Sequence, residues 1–306
     1  MGIGIDIGGT AIKGGIVDHL GVIQKERMVI TQSQLGYDQV LNDLVLLIKE
    51  LQQLSPTETA VGIGIPGILS GAGETVVSCP NLNWQNRPLK QDLERELTLE
   101  VLLVNDATAA CIAEAAFGST RGRSSSVMLT LGTGVGGGVI INDRVISGAH
   151  GVASEVGHMI MEENFYNCNC GKNGCLETFA SATALIRYCQ KQLAEGVESD
   201  LQADGDFDAR RIFEAAKAGD SLALTAVNRL ARYLGWAIAN ISDLVDPEIF
   251  CIGGGLSEAG DFLLERIRAE TKCRLTYPRF AMPEIVLATF RNEAGMIGAA
   301  NLGRFN

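Results

Sequence analysis

Twice along this chain an apolar run breaks on glycines and resumes as a second apolar run, and this recurrence constrains the fold more than any other feature of the sequence. The first instance is Ile3-Gly4-Ile5-Asp6-Ile7-Gly8-Gly9-Thr10 followed by residues 12–17. The second is residues 127–131, then Gly132-Thr133-Gly134, then residues 136–141. Both read as strand, glycine turn, strand. A chain of 306 residues has material for about two domains of ordinary size. The expectation is therefore a duplicated α/β chain in which each half offers a glycine turn after its first strand. Two such turns facing each other across a cleft would hold a polyphosphate between them as a hinged clamp.

The remaining pattern agrees with alternating strands and helices. Val40, Leu41, Leu44, Leu47, Ile48 and Leu51 fall at helical spacing across residues 37–54, and Pro56 ends that helix. Residues 60–65 read as a buried strand, 66–86 as irregular, 88–97 as a helix and 101–104 as a strand. A helix over 106–117 opens on Asp106, placed where its side chain can cap it. A polar linker over 118–126 separates the two halves. In the second half, helices over 182–195, 209–218 and 221–244 precede a strand at 249–252 that runs into Gly253-Gly254-Gly255. A last strand at 284–288 and a small-residue helix at 294–302 follow.

Charge and cysteine usage narrow the function. Lys and Arg number 25 against 36 Asp and Glu, and a net charge of −11 repels nucleic acid and anionic membrane surfaces. No run reaches the roughly 18 apolar residues of a membrane span, and the start of the chain has neither a basic nor an apolar leader segment, so a cytoplasmic location is expected. There the eight cysteines are reduced. Cys79, Cys111, Cys189, Cys251 and Cys273 lie in apolar surroundings and read as small core residues. Cys168, Cys170 and Cys175 share a short glycine-containing loop, with His158 upstream within chain reach. One imidazole and three thiolates make the closed tetrahedral set of a structural zinc site, the alternative being unliganded loop thiols. His19 and His150 have no partner pattern and read as surface or loop residues.

The glycine turns suggest phosphate binding. In Asp6-x-Gly8-Gly9-Thr10-x-x-Lys13 the glycines let backbone amides approach an anion, although the spacing is not that of a P-loop and a tight hairpin would leave the same trace. Gly132-Thr133-Gly134 and Gly253-Gly254-Gly255 each carry a functional and a purely structural reading. Asp106 stands at the carboxyl end of a buried strand, the edge where open α/β sheets bind ligands, and suits a general base as well as a cap. Glu114, on the same helix, reads as a solvated charge.

These motifs together resemble the ROK family of sugar kinases, within the hexokinase, actin and heat-shock ATPase superfamily, and within it the bacterial ATP-dependent glucokinases. The resemblance spans the chain and rests on residues 5–10, Asn105-Asp106-Ala107, residues 129–138, Glu155-Val156-Gly157-His158, Cys168-Asn169-Cys170-Gly171, Gly174-Cys175-Leu176-Glu177 and Gly253-Gly254-Gly255. It implies a duplicated actin/hexokinase-like, ribonuclease H-like fold with an interdomain cleft. The small domain is expected over 1–110 plus 294–306 and the large one over 111–293. Gly8, Gly9, Thr10, Lys13, Gly132, Thr133 and Gly134 would meet ATP phosphates, Asp6 would organise Mg²⁺ through water, and Gly253, Gly254 and Gly255 would lie by the adenosine. Asp106 would be the base, and Gly67, Asn105, Glu155, His158 and Glu177 would bind sugar hydroxyls. The same resemblance supports His158, Cys168, Cys170 and Cys175 as zinc ligands, and a homodimer or homotetramer.

Thr108 stands where many members of the family have Asn, and Ser154 replaces a common Gly. The stretch Asn81 to Asn86 resembles the corresponding glucokinase stretch, a resemblance that implies glucose, with N-acetylmannosamine, mannose and fructose as alternatives. Repressors of the family carry a helix-turn-helix ahead of the first glycine turn, which here begins within ten residues of Met1. A protein-binding ATPase or a sensor without turnover is the remaining alternative, and the polar residues Asn105, Glu155 and Glu177 argue against it.

Overall fold

The computed structural model describes residues 1–201, 207–277, 279 and 282–305. The chain begins with β1 (Gly2–Ile7), β2 (Ala11–Val17), β3 (Ile23–Ile30), α1 (Tyr37–Leu54) and β4 (Ala60–Ile65). The short strands β5 (Ile68–Leu69), β6 (Val76–Cys79) and β7 (Trp84–Arg87) lead to α2 (Leu89–Glu96), β8 (Glu100–Asn105) and α3 (Asp106–Phe117). Next come β9 (Ser126–Leu131), β10 (Val135–Ile141), β11 (Arg144–Val145), α4 (Glu177–Ala180), α5 (Ala182–Ala194), α6 (Ala209–Ala218) and α7 (Ser221–Val245). The chain closes with β12 (Ile249–Gly253), α8 (Asp261–Lys272), β13 (Glu284–Leu287) and α9 (Ala294–Ala299).

Two compact units emerge. One comprises Met1–Met128, Gly138–Ser154 and Thr289–Asn306; the other comprises Leu129–Gly137 and Glu155–Ala288. A boundary after residue 110 falls inside α3, and because α3 packs along α9 both helices belong to the first unit. The two five-stranded sheets have the orders β3-β2-β1-β4-β8 and β11-β10-β9-β12-β13. With the short strands β5 to β7 set aside, each order reads third, second, first, fourth, fifth strand of its half. The duplication suggested by the glycine turns is thus repeated in the strand order.

In the first unit β1 pairs antiparallel with β2 and parallel with β4, and β4 pairs parallel with β8. One face of this sheet is closed by α1. Ile3, Ile5, Ile7, Ile12, Leu44, Ile48, Leu51 and Ile63 form a continuous buried cluster, each side chain contributing about 1.5–3 kcal/mol relative to exposure. The α1 stripe falls where the helical spacing puts it, and the Ser55 amide closes the end by donating to the Leu51 and Gln52 carbonyls. The other face holds α9, and here the chain uses small residues. A Cβ on Gly62 of β4 would overlap the Ala299 carbonyl, and a Cβ on Gly298 of α9 would overlap the Ala109 carbonyl of α3. The helix expected to reach residue 302 stops at Ala299, and a 3₁₀ turn over Leu302–Arg304 takes its place.

Four further expectations are corrected. Residues 66–86 are not irregular throughout, because β5, β6 and β7 form a small antiparallel sheet. Its strands are too short to show a period, and Asn83 and Asn86 at φ 54° and 47° break the pattern. Glu114 is not solvated but fully buried: one carboxylate oxygen accepts from the Ser119 amide and hydroxyl at 2.7 and 2.9 Å, the other from the Phe290 amide at 2.7 Å. Three donors replace the water it loses. Cys273 is exposed, whereas Cys79, Cys111, Cys189 and Cys251 are buried as expected. The cap of α3 is Asn105, not Asp106, which is the first helical residue.

Candidate functional site

In the first unit, parallel pairing brings the ends of β4 and β8 together, with Ile65 opposite Asn105. The Asn105 side chain leaves β8 as the N-cap of α3, its oxygen accepting from the Ala107 and Thr108 amides at 2.9 and 3.2 Å. Its amide nitrogen donates to the Gly67 carbonyl at 3.3 Å. One side chain thus fixes both the helix that carries Asp106 and the loop that carries Gly67. Asp106 is partly exposed in that first turn, and Oδ1 accepts from the Ala107 amide at 2.9 Å. The nearby Cys79 thiol donates to the Pro66 carbonyl at 3.1 Å. Burial raises the pKa of that thiol, and the negative charge of Asp106 raises it further.

The first glycine turn closes on itself. The Gly8 amide donates to the Ala11 carbonyl at 2.9 Å, and the Thr31 hydroxyl donates to the Gly8 carbonyl at 2.8 Å. Gly9 and Thr10 are exposed at the tip, so theirs are the amides the turn can offer an anion. Asp6 lies at the end of β1 opposite Lys13. Burial raises its pKa, and the charge of Lys13 partly offsets the rise.

In the second unit a 3₁₀ turn over Val156–His158 sets Glu155 and His158 on adjacent corners, with the His158 amide donating to the Glu155 carbonyl at 3.0 Å. The imidazole has two distinct neighbours: Nδ1 is 3.6 Å from Cys168 Sγ, and Nε2 is 3.8 Å from the Glu155 carboxylate. Burial raises the Glu155 pKa, His158 lowers it and Glu177 raises it again. Glu177 opens α4, where one carboxylate oxygen accepts from the Cys168 thiol at 2.9 Å. The other oxygen lies only 2.6 Å from where a Cβ on Gly134 would be. The second glycine turn therefore lacks a side chain at the spot the Glu177 carboxylate occupies.

The donor atoms of His158, Cys168, Cys170 and Cys175 all lie within 4.8 Å of one another. Cys170 and Cys175 Sγ are 3.6 Å apart, as are Cys168 Sγ and His158 Nδ1. A tetrahedron with zinc–sulfur bonds of about 2.3 Å and a zinc–nitrogen bond of about 2.0 Å has S···S and S···N edges of about 3.8 and 3.5 Å. The four residues fit a metal ion of that kind and leave no fifth protein donor among themselves.

Gly132, Thr133 and Gly255 line a cavity of about 620 Å³ together with Ile186 of α5, Phe213 of α6 and Leu256. Two of the glycine motifs thus meet in one unit. Gly254, at φ 79°, turns its backbone against Leu131, and Gly253 ends β12. The contributions of α5 and α6 had no motif to mark them; Ile186 and Phe213 look like ordinary positions of amphipathic helices. His19 and His150 are exposed, as expected.

Set against known proteins, the chain matches the description "ROK family" over residues 2–304. It is 36% identical to a glucokinase of Halalkalibacterium halodurans over 311 residues, covering 97% of this chain and 92% of that protein. Among solved structures it is similar to a ROK family glucokinase from Streptomyces griseus in complex with glucose and AMPPNP, with a TM-score of 0.80, 35% identity and 98% coverage of both chains. A ROK hexokinase from Thermus thermophilus gives a TM-score of 0.85 at 30% identity, with 97% of this chain and 96% of that one covered.

Proposed function

The chain belongs to the ROK family, and on that premise we propose that it is a glucokinase transferring the γ-phosphoryl group of Mg-ATP to the 6-hydroxyl of glucose. Its two five-stranded sheets with one strand order are the duplicated, actin-like architecture of that family. The observation that carries the reading is the Asn105-capped Asp106 carboxylate at the strand–helix junction, in a chain similar over 98% of its length to a kinase holding glucose and a nucleotide.

Asp106 takes the 6-hydroxyl proton as that oxygen attacks the γ-phosphorus, and the bond from the γ-phosphorus to the β,γ-bridging oxygen breaks to release ADP. Gly67, Asn105, Glu155, His158 and Glu177 hold the sugar hydroxyls. The acceptors among them, two carboxylates in particular, suit a ligand that presents O–H donors. Gly8, Gly9, Thr10, Lys13, Gly132, Thr133 and Gly134 hold the phosphates, Asp6 orders the water around Mg²⁺, and Gly253, Gly254 and Gly255 lie by the nucleoside. The cavity beside Gly132 and Gly255, with its apolar Ile186, Phe213 and Leu256 walls, suits the flat base.

Zinc held by His158, Cys168, Cys170 and Cys175 would supply structure rather than chemistry, since four protein ligands leave no open position. What it fixes are Glu155 and Glu177, which flank the ligand set in sequence and touch His158 and Cys168. Cys170→Ser is expected to lower zinc content and to raise the KM for glucose about tenfold. Metal analysis and sugar titration check the two together, and retained zinc with an unchanged KM would refute the coupling.

Gly134→Ala is expected to raise the KM for glucose about tenfold, because the new methyl displaces the Glu177 carboxylate. Thermal stability should be nearly unchanged, since the group that yields is the end of a flexible side chain. A normal glucose KM in this variant would show that Glu177 does not need that space.

The reading as a whole is tested by coupled ADP release with Mg-ATP against glucose, N-acetylmannosamine, N-acetylglucosamine, mannose, fructose and allose, on zinc-replete protein. Turnover led by glucose supports it, a different winner reassigns the pocket, and sugar-independent hydrolysis alone rejects a kinase. The reaction calls on no membrane, and among the described residues no helix is long and apolar enough to cross one.

A further inference from the structure

We propose that Asn164 is a positioning residue for Glu177, acting on the backbone of α4 from outside the ligand loop; the proposal rests on the reading of Glu177 as a sugar ligand. The argument starts from an orphaned carbonyl. Helix α4 spans only Glu177–Ala180, and in a longer helix the amide of residue 182 would satisfy the Thr178 carbonyl. Here the Ala182 amide donates instead to Gly132 O at 2.8 Å, drawn off to the second glycine turn. Thr178 is buried, so its carbonyl needs a partner from elsewhere.

Two side chains supply it. Asn164 Nδ2 donates to Thr178 O at 2.7 Å, and the Tyr166 hydroxyl donates to the same oxygen at 3.0 Å. The orientation of the Asn164 amide is fixed from its other side, where Oδ1 accepts from the Phe165 amide at 2.9 Å and from the Arg229 guanidinium at 3.3 Å. Arg229 is itself held over the rings of Phe179, Tyr188 and Tyr233, 4.7 to 5.2 Å from their centroids. The Asn164 backbone is held as well, its amide donating to Asn173 Oδ1 at 2.7 Å and its carbonyl accepting from Asn173 Nδ2 at 3.0 Å.

Besides the contact of its carboxylate with Cys168, Glu177 is therefore held through the backbone of α4 from two directions. The bonds of Ala182 and of the Thr183 hydroxyl to the Gly132 and Thr133 carbonyls set the far end of α4 against the glycine turn. Asn164 and Tyr166 set the residue next to Glu177 against α7 through Arg229. Without the Asn164 donor, the Thr178 carbonyl keeps the Tyr166 hydroxyl alone of these two donors, and the carboxylate beside Gly134 is set less firmly. None of these contacts involves a metal ligand's side chain, so the ligand set stays intact when Asn164 is changed.

The test uses zinc-replete full-length protein carrying Asn164→Ala or, as the milder change, Tyr166→Phe, which removes one hydroxyl and keeps the ring under Arg187. Asn164→Ala is expected to raise the KM for glucose about tenfold and Tyr166→Phe about threefold. The KM for Mg-ATP and the zinc content per chain should stay at the parent values. Monodeoxyglucoses give the readout that a merely structural role would not move. The deoxy position whose penalty shrinks most in Glu177→Gln identifies the hydroxyl that Glu177 holds, and that one penalty should shrink in Asn164→Ala while the others persist. Equal weakening for every deoxy sugar, loss of zinc, or an unchanged glucose KM in both variants would overturn the proposal and leave the glucokinase reading standing. Parent protein that phosphorylates no sugar would overturn both.

Discussion

Asp106→Asn is expected to lower kcat for glucose phosphorylation by about a hundredfold or more, with the KM for glucose within about threefold of the parent value. The substitution is nearly isosteric, and the structure shows why it is clean. The cap of α3 belongs to Asn105, whose oxygen takes the Ala107 and Thr108 amides, so the helix start does not depend on the charge of its neighbour. The bond that Asp106 Oδ1 accepts from the Ala107 amide can be made equally by an asparagine oxygen. What the variant loses is the ability to accept a proton. The residual rate then measures what positioning and phosphate charge neutralisation achieve without a base. Coupled ADP release at saturating Mg-ATP decides the matter, and near-normal turnover would remove Asp106 from the role.

The second large effect concerns folding. Gly298→Ala is expected to cost about 3 kcal/mol or more of unfolding free energy, measured by urea denaturation. The added methyl meets the Ala109 carbonyl of α3, a backbone group that cannot turn away. Nor can α9 retreat, because on its other side its own carbonyls lie against Gly4 and Gly62 of β1 and β4. Gly303→Ala is the control. A Cβ there has Leu102 Cδ1 at 4.0 Å as its nearest neighbour, so it should change stability by less than about 0.5 kcal/mol. Equal effects at the two positions would mean that the close approach of α3 and α9 is not what demands glycine.

Much of the fold is legible because its signals are local. The α1 stripe, the Ala209–Ala218 helix and both glycine turns each declare themselves within a few residues. Glu114 was not legible, because its partners Ser119 and Phe290 include a backbone amide 176 positions away, and nothing in a run of alanines marks that pairing. The short sheet of β5, β6 and β7 was missed since strands of two to four residues carry no period. Within the candidate site, residue type marked the clustered cysteines and Asp106. Ser154 adopts φ 72°, a left-handed conformation that explains why a glycine is at home there. Asn164 escaped notice for the opposite reason: an asparagine in a polar loop looks like every other one until the carbonyl it serves is known.

The chain has only two tryptophans, and the two compact units hold one each. Trp84 is buried with the Tyr37 ring edge-on at 5.0 Å, while Trp236 of α7 lies half-buried over Tyr233 at 6.1 Å. Excited at long wavelength, the protein therefore carries one optical reporter in each unit, and replacing either indole with Phe leaves an emission that speaks for one unit alone. Trp84 gives the blue-shifted signal of a dry site and Trp236 the redder one. The melting of each half, and the response of each to sugar or nucleotide, can be followed without attaching a dye.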